Sequence, residues 1–161
     1  DGGWGRWRSL GLPVETVTAA PAPARYRADF DRSRLLDARA VESHLEDGGL
    51  LVDARGAERF SGVSEPIDPV AGHVPGAVNR PYLENVGGDG RIRDPQALRD
   101  GFQGLMAGRD PGQVAVMCGS GVTACHHLLA MAHAGLPGAK LYTGSWSGWI
   151  EDPERPVATG A

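Results

Sequence analysis

Between residues 34 and 150, short apolar runs alternate with stretches whose apolar side chains return every three or four positions. Leu36, Ala40, Val41, His44 and Leu45 lie at helical spacing, and Gly48-Gly49 stops that run. Leu50-Leu51-Val52 then reads as a short buried strand ending in Asp53-Ala54-Arg55, with a small helical piece at 57–60. Residues 61–77, punctuated by Pro66, Pro69, Gly72, Pro75 and Gly76, read as a long loop, and Ala77-Val78-Asn79 as a second strand. Asp94-Pro95 opens a helix, with Leu98, Phe102, Leu105 and Met106 as its apolar positions and Gly108 as its stop. Val114–Met117 is a third strand and runs straight into Cys118-Gly119-Ser120-Gly121-Val122-Thr123. A helix over 124–134 carries Leu128, Leu129 and Met131, and Gly135 ends it. Lys140–Tyr142 reads as another strand, and 146–150 as a closing helical turn. Strands alternating with helices predict an α/β fold, a mainly parallel sheet with helices on both faces. Ligands on such sheets bind beyond the carboxyl ends of strands. Cys118 and the turn from Asp53 to Arg55 both fall at such ends.

The first quarter of the chain follows another pattern. Residues 4–10 read as one or two helical turns, and Pro13, Pro21 and Pro23 mark an extended linker after them. The chain opens Asp1-Gly2-Gly3-Trp4, without Met and without a basic-then-apolar signal segment, and so reads as the inside of a longer protein. Residues 1–25 are expected to be the tail of a preceding domain plus linker, and 26–161 one domain. A length of 161 residues suits that division. Gly 24 and Pro 12 make the chain turn-rich, yet short of the ~25–30% that marks low complexity. The formal net charge of -4 argues against nucleic acid as a partner, since such domains carry a basic excess. No apolar run approaches the ~18 residues that a membrane span needs. Two cysteines, Cys118 and Cys125, are too few for a disulfide framework or a four-thiolate zinc site. A free thiol and no signal segment point to the cytoplasm.

The strongest chemical signal is the stretch 114–125. A cysteine follows a buried strand, a Gly/Ser loop follows the cysteine, and a helix follows the loop. Gly119 and Gly121 remove bulk and allow unusual backbone angles, so several N–H groups can point at one centre. The helix N-terminus adds its positive end, and such a nest stabilises an anion. With the Cys118 sulfur as that anion, the nucleophilic thiolate is populated. The same nest would hold a persulfide. Cys125, inside the helix, reads as structural.

Cys-Gly-Ser-Gly-Val-Thr-Ala at 118–124 resembles the active-site loop of 3-mercaptopyruvate sulfurtransferases in the rhodanese superfamily. Four further segments agree with the catalytic, C-terminal half of its tandem-domain members. They are Val52-Asp53-Ala54-Arg55, Glu58-Arg59-Phe60, Gly72-His73-Val74-Pro75-Gly76-Ala77-Val78-Asn79 and Leu141-Tyr142-Thr143-Gly144-Ser145-Trp146. The ending Pro156-Val157-Ala158-Thr159-Gly160 fits as well, and Asp1 to Val14 resembles the last helix of the family's N-terminal domain. The resemblance implies a rhodanese-like fold with about five strands. It implies a sulfurtransferase that moves sulfur from 3-mercaptopyruvate or thiosulfate through a Cys118 persulfide, with no metal or organic cofactor. Acceptors implied are thioredoxin, small thiols or cyanide. The loop amides of Gly119, Ser120, Gly121, Val122 and Thr123 would hold the anion, and Arg59 would orient the donor through its paired N–H groups. Ser120 matches the serine of a Ser-His-Asp relay whose His and Asp come from the N-terminal domain. His73 is not that histidine and reads as support for the loop turn.

The family often carries a second Arg eight or nine residues after the first. Here that stretch reads Glu65-Pro66-Ile67-Asp68, and the Arg is absent. Thiosulfate enzymes carry basic residues after the cysteine, where this chain has Gly119 and Ser120. Asp53 and Arg55 read as a charge pair supporting the loops. His126, His127 and His133 read as packing or solvated groups, and Trp146 and Trp149 as core or wall. Phosphatases of this fold need Arg at the sixth position after the cysteine, which is Ala124 here. The alternatives are a thiosulfate-preferring enzyme, or a folded but inactive half or binding module without its N-terminal partner.

Overall fold

A computed structural model describes residues 1–18, 20–29 and 31–160. One sheet holds β1 (Leu35–Leu36), β2 (Leu50–Asp53), β3 (Val78–Asn79), β4 (Val114–Met117) and β5 (Lys140–Tyr142). The strand order is β1-β5-β4-β2-β3, and every pairing is parallel. The helices are α1 (Gly3–Ser9), α2 (Ala38–Glu46), α3 (Ala57–Ser61), α4 (Pro95–Met106), α5 (Ala124–His133) and α6 (Ser145–Trp149). A 3₁₀ turn, Tyr82–Asn85, follows β3.

Side chains on a strand point alternately to opposite faces, which divides the core in two. Leu50 and Val52 of β2 and Val114 and Val116 of β4 pack with Leu98, Phe102 and Met131 of α4 and α5. Leu51, Ala115 and Met117 face the other way, onto Val41 of α2 and Trp146 and Trp149 of α6. With apolar layers on both sides, β2 and β4 are buried at every position. This is why they read as unbroken apolar runs in the sequence.

Leu36 departs from the helical series predicted for it. It pairs with Tyr142 as part of β1, at the edge of the sheet. The reason is Asp37, whose side chain accepts from the Ala40 N–H at 2.8 Å and starts α2 only at Ala38. Residues 11–18 and 20–29 contain no helix or strand. Trp4, Trp7 and Leu10 of the α1 region are exposed. Among the described residues, no helix is long and apolar enough to cross a membrane.

A buried polar cluster ties α5 to the 3₁₀ turn. His127 is fully buried; its Nε2 donates to Arg80 O at 2.7 Å, and its Nδ1 accepts from Asn85 Nδ2 at 2.7 Å. The Asn85 side-chain oxygen accepts from Arg80 Nη2 at 3.2 Å, and the Arg80 guanidinium stacks over Phe102. Burial, against the pull of the Arg80 carbonyl, lowers the His127 pKa from 6.5 to about 4. The unfolded chain then holds the His127 proton between those values while the folded chain does not. Stability is therefore expected to fall as pH drops through this window, by about 3 kcal/mol at pH 4. Urea denaturation of the protein and of His127→Gln, which keeps a donor but cannot titrate, checks this. The variant should lose that segment of the pH dependence.

Candidate active site

Cys118 is the first residue past β4, whose neighbours in the sheet are β5, followed by Thr143, and β2, closed by Asp53. It is 2% exposed. Its N–H donates to the Ser145 hydroxyl at 3.1 Å, which donates in turn to Tyr142 O at 3.0 Å. Ser145 is buried and has φ 51, a left-handed backbone held by those two bonds. The Cys118 carbonyl accepts from Trp146 N at 3.0 Å and the Gly119 carbonyl from Ser147 N at 2.9 Å. These two carbonyls are thus spent on the start of α6. Among the described residues, the N–H groups of Gly119, Ser120, Gly121, Val122 and Thr123 find no acceptor within the protein. Gly121 has φ +84, and a β-carbon there would lie 2.8 Å from Thr143 O, so only glycine fits. Thr123 then leads into the N-terminus of α5.

A cavity of about 250 Å³ opens beside Cys118. Gly119, Ser120 and Thr123 line it on the loop side, and Arg59, Asp68 and Tyr82 face them. Of the other loop residues expected at the site, Gly121 is buried against Thr143, and the Val122 side chain is 76% exposed. Ser120 is exposed at the cavity and makes no hydrogen bond to a described residue.

Arg59 projects from α3, and a β-carbon on Gly119 would stand 3.6 Å from both of its terminal nitrogens. Two carboxylates already hold it. Arg59 Nε donates to Glu65 at 2.9 and 3.0 Å, and Nη2 to Asp68 at 2.9 Å. Asp68 also accepts from the Ser147 hydroxyl at 2.8 Å. Burial pushes the Glu65 carboxyl up, but the Arg59 hydrogen bonds and the amides of Asp68 and Ile67 outweigh it and hold the group below its ordinary range. Ile67 lies on the cavity rim and is 74% exposed.

Arg55 is the buried centre behind this rim. Its guanidinium reaches Asp53 at 2.7 Å, Glu65 at 3.2 Å and Gly72 O at 2.7 Å, and it stacks over Trp146. One cation therefore ties β2, the 65–68 turn, the 72–73 turn and α6 together. His73 supports α3: its Nδ1 donates to Phe60 O at 2.8 Å, and its ring stacks on Phe60. It also exchanges backbone hydrogen bonds with Ala158. His126 stands edge-on to Tyr82. Cys125 is exposed on the first turn of α5, with its thiol 3.4 Å from Gly121 O. Among the described residues, no group of three or more His, Cys, Asp or Glu is placed to hold a metal ion.

Sequence reasoning brought Cys118, the loop and Arg59 to this place but assigned no role to Asp68, Tyr82, Ser145 or Ser147. The last two follow β5, whose carboxyl end adjoins that of β4. Small hydroxyl residues directly after a strand were the available signal.

Residues 30–152 match the model of the family described as "Rhodanese-like domain". A Pseudomonas aeruginosa protein named "Probable 3-mercaptopyruvate sulfurtransferase" is 47% identical over 161 residues, covering 99% of this chain and 57% of that protein. A Cricetulus griseus protein named "Thiosulfate sulfurtransferase" is 35% identical over 166 residues, covering 99% of this chain and 56% of that protein. The chain thus spans little more than half the length of these curated relatives. A solved structure of EanB, described as carrying a cysteine persulfide with ergothioneine, superposes with a TM-score of 0.84 at 20% identity. That likeness covers 99% of this chain and 41% of the other and concerns the fold.

Proposed function

The chain belongs to the rhodanese-like domain family, and from that premise we propose that it is a sulfurtransferase working through a persulfide on Cys118. The observation that carries this reading is the placement of the Cys118 sulfur. It sits at the end of β4, at the head of a loop with five consecutive N–H groups lacking an acceptor among the described residues. Such a nest suits a thiolate first and a persulfide anion afterwards.

In the proposed reaction the Cys118 thiolate attacks the outer sulfur of the donor and an S–S bond forms. With 3-mercaptopyruvate the C–S bond breaks and its electrons leave on the enolate of pyruvate, which takes up a proton. With thiosulfate the S–S bond breaks and sulfite leaves. A thiol such as thioredoxin or a small thiol, or cyanide, then attacks the terminal sulfur and returns the Cys118 thiolate. Arg59 orients the anionic donor, and the amides of residues 119–123 hold the charge on sulfur. Ser120, exposed at the cavity, is the proton relay's entry point. A second rhodanese-like unit completes the relay, with residues 1–25 as its tail and linker and 26–161 as the catalytic domain. The exposed Trp4, Trp7 and Leu10 support that division. The reading includes a cytoplasmic setting.

Intact mass after incubation with 3-mercaptopyruvate, and separately with thiosulfate, tests the proposal. The expected result is a gain of one sulfur atom that cyanide removes. No gain from either donor, in this chain and in the chain joined to a second rhodanese-like unit, would refute it.

A further inference from the structure

The cavity beside Cys118 has an electrostatic feature that donor binding alone does not require. Arg59 is its solvent-reached cation, with a side chain 20% exposed, and it is held by Glu65 and Asp68 before any donor arrives. Glu65 is shared with Arg55 and lies behind the rim, 3% exposed. Asp68 is different. It lines the cavity itself, and each of its two oxygens has a partner of its own. One accepts from Arg59 Nη2 at 2.9 Å, the other from the Ser147 hydroxyl at 2.8 Å. Ser147 Oγ is also 2.9 Å from Gly119 O, so Asp68 meets the cysteine loop through the Ser147 hydroxyl. A fixed negative charge therefore stands in the wall of a cavity whose proposed occupants are anions.

We propose that Asp68 is a specificity-determining residue that selects sulfur donors by charge, favouring singly charged 2-oxo acid thiols over doubly charged thiosulfate. This rests on the sulfurtransferase reading of the same site. The repulsion from Asp68 scales with the donor's charge. Removing it lowers the free energy of a bound dianion by twice the amount for a monoanion, so the two fold-changes are related as a square. Over roughly 8 Å, at an effective dielectric of about 40, one unit of charge is worth about fivefold in binding, and two units about twenty-five-fold. Freeing Arg59 from one of its two carboxylates acts in the same direction for both donors.

Asp68→Asn keeps the side chain's shape and removes its charge: the amide oxygen still accepts from Arg59, and the NH2 donates to Ser147 Oγ, whose proton is left for Gly119 O. Its kcat/KM is expected to rise about fivefold for 3-mercaptopyruvate and about twenty-five-fold for thiosulfate, mostly through KM. Asp68→Glu should restore the parent ratio between the donors. Equal factors for both donors, or a fall for either, would overturn the proposal. A second readout does not need sulfur transfer. In a Cys125→Ser background, the rate of Cys118 alkylation is compared for anionic iodoacetate and neutral iodoacetamide. Asp68→Asn should raise the iodoacetate-to-iodoacetamide rate ratio about fivefold; the ratio cancels any change in the Cys118 thiolate population, which acts on both reagents alike. An unchanged ratio overturns the charge filter. A raised ratio with no sulfur uptake from either donor, in this chain and in the chain joined to a second rhodanese-like unit, upholds the filter and refutes the sulfurtransferase reading.

Discussion

Cys118→Ser is expected to take up no sulfur from either donor, and its turnover to fall on the order of 10³-fold or more, the scale on which removal of a nucleophile acts. The substitution is nearly isosteric at a site that is 2% exposed, so the fold should survive it. What it removes is the polarisable sulfur nucleophile. A serine hydroxyl stays protonated near neutral pH, and an O–S bond is no substitute for the S–S bond of the proposed persulfide. Intact mass reports the missing sulfur, and thiocyanate formation from cyanide reports turnover. Cys125→Ser should behave as the parent, because the Cys125 thiol is exposed on α5 and faces the Gly121 carbonyl. Sulfur uptake by Cys118→Ser, with the added atom on Cys125, would move the chemistry to the other thiol.

Arg55→Met should cost about 3–5 kcal/mol of folding stability, the range observed when one partner of a buried ion pair is removed. Arg55 is 3% exposed and is the shared partner of Asp53 and Glu65, both of which lose most of their solvent on folding. Methionine fills much of the volume and leaves those carboxylates with less compensation. The Gly72 carbonyl also loses its donor. In a chain of this size the melting temperature should fall on the order of 10 °C. Urea denaturation with an unchanged m-value would attribute the loss to the folded state. A loss under about 1 kcal/mol would mean that the network relaxes onto water and is not a buried unit. The same variant should weaken the active site, because Glu65 and through it the 65–68 turn take their position from Arg55 and Arg59.

Much of the framework was legible because it is written locally. The runs 50–52 and 114–117 became β2 and β4, since strands buried on both faces must be apolar at every position. Asp94-Pro95 opened α4 as read: the Asp94 carboxylate accepts from Gln96 N at 2.9 Å, and Pro95 sits where no N–H is needed. Leu36 falls in with the helical spacing of α2 because the two-residue strand Leu35-Leu36 carries no period of its own. Only β5, over a hundred residues away, makes them a strand. His127 looked like a packing residue, and the burial that lowers its pKa comes from a fold that sets it against Arg80 and Asn85, more than forty residues earlier.

The sequence by itself determined that a cysteine ends a buried strand, that glycines follow it, and that a helix begins directly after. Strand, turn and helix entry are short-range choices of backbone angle and burial, and each is carried by residues within a few positions of Cys118. Only the tertiary structure decided what surrounds the sulfur. Ser145 reaches Cys118 because β5 lies beside β4, and Asp68 reaches Ser147 across seventy-nine positions of chain. The charge on Asp68 matters only because that long-range closure sets it in the wall of the cavity. Coulomb interaction and hydrogen bonding act over a few ångströms of space, whatever the separation along the chain.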